Sequence, residues 1–256
     1  MRMIKSRSGT EDAKPDSSEA LRRRRAGIYL LPNLFTTGAL FAGYYGIVAA
    51  INSRFEAAAI AVFVAMILDG IDGRIARLTN TQSDFGAQYD SLSDVVSFGL
   101  APSIIVYEWA LFDLGKLGWL AAFMYTAGAA LRLARFNSQS ENSDSRFFQG
   151  LPSPAAAAVI GATVWLSQSF MPPNMTGVAL GTMLVTILMA LLMVSNLPYY
   201  SFKDLDLRNK VPFVSILAIV MAFVLVSIEP ATVLFCIFSA YAFSGVVLKL
   251  KDKISR

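Results

Sequence analysis

Residues 68–94 read LDGIDGRIARLTNTQSDFGAQYDSLSD, five aspartates and two arginines in a chain that is otherwise 55% hydrophobic and only 16% charged. Asp69 and Asp72 are three apart, and Gly73 and Ala76 continue their helix face; Gly86, Asp90 and Asp94 follow at intervals of four on the next helical stretch. One carboxylate near the hydrocarbon centre of a bilayer costs about 3 kcal/mol on insertion scales, so four of them demand a cationic offset. Arg74 and Arg77 supply part of it. Like-charged carboxylates brought together favour a hard divalent cation, Mg²⁺ or Mn²⁺, as one ion or as a pair about 4 Å apart, a standard clamp on a phosphate ester or diphosphate. The interleaved small residues suit the close approach of a bulky ligand. The chemistry is that of a nucleotide-diphosphate site at a membrane surface.

Two rival readings fit less well. Solvated loop acids account for Asp84, but Asp69 and Asp94 continue the nearly uninterrupted apolar runs 63–68 and 95–105. An EF-hand loop lacks alternating oxygen ligands and a closing Glu after Asp72. A chain without histidine and with a single cysteine, Cys236, has almost no means of building a zinc site or a disulfide framework. Acid–base work falls to carboxylates, lysine or tyrosine. Ser153, between two prolines, is a loop or helix-start residue with no histidine to make it a nucleophile.

The elements that must hold these residues are membrane spans. Mean hydropathy is +0.53, and eight apolar segments approach the ~20 residues needed to cross a ~30 Å core: 28–50, 57–77, 85–111, 117–135, 151–170, 176–197, 211–228 and 231–250. The fold class expected is all-α, a polytopic helix bundle spanning 27–256 behind a polar, disordered cytoplasmic tail, 1–26. The run 28–50 is too long for a signal-peptide core and reads as an uncleaved first span. With the N-terminus inside and eight crossings, the outer loops hold only Arg54 and Lys116, and the other twenty of the 22 Lys and Arg lie inside. Both termini and the aspartates then face the cytoplasm, and the basic segments 203–210 and 249–256 anchor the topology. Gly177-x3-Gly181 reads as a small-residue packing face.

The pattern Asp69-x2-Asp72-Gly73-x2-Ala76-Arg77-x8-Gly86-x3-Asp90-x3-Asp94 resembles, without a gap, the signature of the CDP-alcohol phosphotransferase family, integral membrane enzymes that move a phosphatidyl-type group from a CDP-linked lipid to an alcohol. Three shorter stretches are similar to the serine-using bacterial and archaeal branch of that family: Leu31-Pro32-Asn33-Leu34-Phe35-Thr36-Thr37, Arg132-Leu133-Ala134-Arg135-Phe136-Asn137 and Gly150-Leu151-Pro152-Ser153-Pro154. The resemblance implies a six-helix family core within the eight spans, CDP-diacylglycerol as donor, L-serine as acceptor, a homodimer in the cytoplasmic membrane among its lipids, and no nucleic acid partner. It also implies Asp69, Asp72 and Asp90 as ligands of Mg²⁺ or Mn²⁺, Asp94 as the base, and Gly73, Ala76, Arg77 and Gly86 at the nucleotide.

Asn33 and Thr37, four apart, are expected to touch the nucleotide or the metal site. Arg132 and Arg135, three apart on one face, are candidate partners for the serine carboxylate, because a guanidinium binds bidentately, with Asn137 assisting. The alternatives are a family member accepting glycerol phosphate, an inositol compound or choline, and a cation transporter with the aspartates on an ion path. A transporter is expected to show broken helices or inverted repeats, and the sequence shows neither.

Overall fold

A computed structural model describes residues 17–79, 81–138, 147–170, 176–200 and 213–254. Among these, eight helical rods occupy the apolar segments: α1 (Ser17–Ile51), α2 (Phe55–Thr79), α3 (Asp84–Leu114), α4 (Lys116–Ser138), α5 (Ser153–Phe170), α6 (Thr176–Val194), α7 (Phe213–Ile228) and α8 (Pro230–Ile254). Five stretches are long and apolar enough to cross a membrane: Leu31–Ile51 of α1, α3, α4, α6, and Pro230–Lys251 of α8. Of the other three, α2 carries Asp69, Asp72, Arg74 and Arg77 near its end, and α7 is described only from Phe213 onward. The segments 1–16 and 203–210 and the turn at Pro172-Pro173-Asn174 lie outside the described residues.

Three features depart from the sequence reading. α1 begins at Ser17, inside the stretch assigned to the polar tail. Two three-residue strands, β1 (Phe147–Gln149) and β2 (Pro198–Tyr200), pair antiparallel with Phe147 opposite Tyr200; segments this short between long helices leave no alternation to read. Gly177 and Gly181 are exposed, and a Cβ at either meets nothing within 4 Å, so they form no packing face with the described residues.

The bundle centres on α5. Ala155, Ala156, Ala157 and Ala158 are all buried, which requires neighbours on every side of the helix; α2, α3, α6 and α8 supply them. Alanine makes this possible by letting backbones approach closely.

α3 is the rod whose geometry matters most for function. Its α-helical start, Asp84–Asp94, passes into a π-helical segment over Val95–Leu100, immediately after Asp94, and a second follows at Tyr107–Leu111. π-segments insert an extra residue per turn and are frequent at functional sites. The Phe98 carbonyl, four residues before Pro102, which has no N–H to give it, accepts a hydrogen bond from the buried Tyr125 hydroxyl of α4 at 3.1 Å. On its other side α3 is stitched to α1: Ser93 Oγ donates to Thr36 O at 3.2 Å and Ser97 Oγ to Ala39 O at 3.1 Å.

At Gly43 the two rods leave no room for a side chain, because a Cβ there would stand 2.7 Å from Ser97 Cα. Gly43→Ala is therefore expected to destabilise the bundle by about 1–3 kcal/mol, the usual cost of overpacking, while Gly177→Ala is neutral or stabilising. Thermal unfolding of the two variants in lipid nanodiscs checks this: equal midpoints would contradict the close α1–α3 approach.

Candidate active site

The aspartates are delivered by two rods that meet near their ends. Asp69 and Asp72 lie in the last three turns of α2; residues 81–83 lead into α3 at Asp84, where Ser83 caps the helix by accepting a hydrogen bond from Gly86 N at 3.0 Å. This puts Asp90 and Asp94 opposite Asp69 and Asp72. One carboxylate oxygen from each of Asp69, Asp72 and Asp90 lies within 4.8 Å of the others. Asp94 completes the group, its carboxyl group within interaction range of Asp69 and Asp90.

Three charges at that separation are costly. Two unit charges 4.8 Å apart repel by roughly 3 kcal/mol at an effective dielectric constant of ~20, and three such pairs reach on the order of 10 kcal/mol, comparable with the net stability of a whole domain. Arg77, on the wall of the same cavity, commits its Nε to Gly73 O of its own helix at 3.0 Å. Asp72 is 4% exposed and accepts from Thr36 Oγ1 at 2.6 Å, whereas Asp90 Oδ1 is buried with no hydrogen-bond partner among the described residues. An orphaned carboxylate oxygen beside two more carboxylates is a donor set suited to a hard divalent cation. The residues present fit the metal that the spacing implied.

All four aspartates line one cavity of about 670 Å³, together with Pro32, Asn33, Thr36, Gly70, Gly73, Ala76, Arg77, Thr81, Gln82, Ser83, Asp84, Gly86 and Ala87. Five of the expected nucleotide residues, Asn33, Gly73, Ala76, Arg77 and Gly86, are among them. A Cβ at Gly70 or Gly73 would meet nothing within 4 Å, so both glycines leave the wall open to a ligand. Thr37 is not a lining residue; its hydroxyl lies 2.9 Å from that of Tyr89 on α3. Thr36 takes the place expected of it. At 100° per residue, Thr36 is about 60° from Asn33 on one side and Thr37 about 40° on the other; both share a face with Asn33, and only the packing of α1 on α2 and α3 selects between them.

The three candidate acceptor residues part company. Arg132 is buried, donates Nη1 to Ser153 Oγ at 3.0 Å, interacts electrostatically with Asp94, and keeps a buried Nε without a hydrogen-bond partner. Arg135 points elsewhere, donating to Asn196 Oδ1 at 3.1 Å. Asn137 Nδ2 donates to Ser91 Oγ at 2.9 Å, and Ser91 lies between Asp90 and Asp94 on α3. None of the three lines the cavity directly. Ser153, read from sequence as a loop or helix-start residue, begins α5 and is fully buried as the hydrogen-bond acceptor for Arg132.

Several known proteins with related sequences carry one name. The chain is 38% identical over 222 residues to the "CDP-diacylglycerol–serine O-phosphatidyltransferase" of Helicobacter pylori strain J99, covering 86% of this chain and 91% of the relative. Proteins of that name from Methanocaldococcus jannaschii, 33% identical over 186 residues (73% of this chain, 81% of the relative), and Bacillus subtilis, 35% identical over 179 (70% and 94%), are also similar. The family model for CDP-alcohol phosphatidyltransferase matches residues 29–195, from the described start of the cavity wall on α1 to the end of α6. With the full Asp–Gly–Ala–Arg–Gly–Asp signature gathered around one cavity and that match across most of the bundle, the chain belongs to the CDP-alcohol phosphatidyltransferase family.

Proposed function

We propose that this membrane enzyme transfers the phosphatidyl group of CDP-diacylglycerol to the hydroxyl of L-serine, yielding phosphatidylserine and CMP. The single observation that carries the reading is the convergence of four signature carboxylates on one cavity, three of them with oxygens within 4.8 Å of one another. The names of the similar proteins support the donor and the acceptor.

Asp69, Asp72 and Asp90 would hold Mg²⁺ or Mn²⁺, one ion or two. When bound, such an ion neutralises negative charge on the diphosphate and on departing CMP. Asn33, Gly73, Ala76, Arg77 and Gly86 surround the nucleotide, Thr36 orients Asp72, and Thr37 braces the rim through Tyr89. The serine oxygen forms its bond to the phosphatidyl phosphorus as the phosphoanhydride bond to CMP breaks, and the hydroxyl proton passes to the Asp94 carboxylate. An ordinary aspartate titrates near ~3.9 and is a weak base for an alcohol, so proton transfer accompanies attack rather than preceding it. Arg132, beside Asp94, offers its uncommitted Nε–H to the serine carboxylate. Arg135 and Asn137 act at one remove, holding Asn196 and Ser91 in place.

The bundle is proposed to sit in the cytoplasmic membrane with both termini and the cavity facing the cytoplasm, a reading supported by the confinement of outer positive charge to Arg54 and Lys116. Assembly as a homodimer is supported by the family resemblance and is checked by light scattering of the purified protein.

The deciding experiment is purified protein in vesicles with CDP-diacylglycerol and labelled serine or glycerol phosphate, with and without EDTA. Labelled phosphatidylserine that disappears with EDTA is the expected result; product from glycerol phosphate instead would reassign the acceptor. Asp94→Asn is expected to retain CDP binding but lose turnover by about 10²–10⁴-fold, and a variant with undiminished rate would end the base assignment. Thr36→Val removes the hydrogen bond to Asp72 and is expected to raise the Mg²⁺ or Mn²⁺ concentration for half-maximal activity about tenfold; an unchanged metal titration would show that the bond does not support the ligand. For topology, a Cys236→Ser background carrying Ser53→Cys is expected to react with an impermeant maleimide in intact cells, while Thr79→Cys reacts only after permeabilisation. The reverse pattern would invert the bundle.

A further inference from the structure

The cavity wall holds a fifth carboxylate. Asp84, which reads from sequence as a solvated loop acid, opens α3 and lines the cavity together with the four signature aspartates. It is not one of the three acids whose oxygens come within 4.8 Å of one another. The residues leading to it, Thr81, Gln82 and Ser83, line the same wall. Thr81 Oγ1 lies 2.7 Å from Thr79 Oγ1, and Ser83 Oγ accepts from Gly86 N at 3.0 Å. The carboxylate of Asp84 is exposed and accepts no hydrogen bond among the described residues.

A cavity that grips a diphosphate gains nothing from further negative charge beside it, so Asp84 must face a part of the ligand that donates hydrogen bonds. Position narrows the choice. Asp84 precedes Asp90 by six residues, about 9 Å along α3 at ~1.5 Å per residue, and Asp94 by ten, about 15 Å. The longer distance is too great for the ammonium of a small acceptor whose hydroxyl gives its proton to Asp94. The shorter one is close to the reach of a nucleoside monophosphate from its phosphate to the outer edge of its base. Direction agrees, because Asp90 and Asp94 stand between Asp84 and the apolar run that begins at Val95. A nucleotide lipid with its diphosphate at the aspartates and its acyl chains along the apolar run therefore lays its base toward Asp84. Between the two ends the walls are bare: Gly86 and Ala87 on α3 and, on α2, Gly73, where a Cβ would meet nothing within 4 Å.

We propose that Asp84 selects the base of the donor: its carboxylate accepts from the exocyclic amino group of cytosine, as Asp and Glu do when they read that base in nucleic acids, and repels the carbonyl that uracil carries at the same position. The inference rests on CDP-diacylglycerol being the donor and names the side chain that distinguishes it from other pyrimidine nucleotide lipids.

The test supplies proteoliposomes with CDP-diacylglycerol or its uridine counterpart at saturating labelled serine. Wild-type protein is expected to prefer the cytidine donor in kcat/KM. Asp84→Asn, whose amide accepts from cytosine or donates to uracil, is expected to shrink that preference about tenfold, the loss of one charge-assisted hydrogen bond, through the KM for the donor, while the KM for serine stays within about twofold. Any loss of folded protein from removing a first-turn charge cancels in the ratio. An unchanged ratio, or equal losses on both donors, overturns the role of Asp84. So does a variant that keeps its base preference but loses discrimination between the cytidine donor and its 2′-deoxy analogue, which would put the carboxylate on the ribose. Wild-type protein that uses both donors equally overturns base selection alone; wild-type protein that turns over neither overturns the donor assignment and this inference with it.

Discussion

The repulsion among the signature carboxylates is the constraint around which the rest is arranged. Oxygens of Asp69, Asp72 and Asp90 within 4.8 Å of one another store an electrostatic cost as large as the stability of a domain, and the fold must hold them there before any cation or diphosphate arrives. Rigid rods do this where a loop would relax. α2 and α3 carry the acids on consecutive turns, and α1 ties α3 down through Ser93 and Ser97, while Thr36 of the same helix takes one oxygen of Asp72. Gly43 lets α1 come close enough for those short side chains to reach.

The π-helical segment after Asp94 belongs to the same arrangement. An extra residue per turn changes the angular register between Asp90 and Asp94 on the cavity side and the apolar residues that follow. The Phe98 carbonyl within it, to which Pro102 cannot donate, is satisfied by the buried Tyr125 hydroxyl. The broken α-helix thus serves a binding cavity between packed rods, without the repeat symmetry that an ion path of the transporter kind would show in the sequence.

Arg132 links this acidic cluster to the opposite half of the bundle. It reaches Ser153 on α5 and lies within electrostatic range of Asp94 on α3. The all-alanine stretch of α5 brings α2, α3, α6 and α8 around one axis, which is why residues distant in sequence meet there. The short sheet and the Tyr199–Gly245 contact keep α8 from sliding along that axis.

The sequence by itself determined the helical class, the apolar segments and the acidic signature, because hydropathy over ~20 residues and helix-period spacing are local properties. It also singled out Arg132 and Asn33 as candidates, each paired by helical spacing with a second residue, Arg135 and Thr37. Only the tertiary structure decided which neighbours these residues meet. Thr36 rather than Thr37 faces the cavity, since both are near Asn33 on a helical wheel and packing alone breaks the tie. Arg135 turns to Asn196 while Arg132 turns inward, although a three-residue spacing puts both on one face. The π-segment, the two three-residue strands and the place of Asp84 on the cavity wall leave no periodic trace in the chain, for each arises from contacts between segments distant in sequence, whose geometry no local pattern encodes.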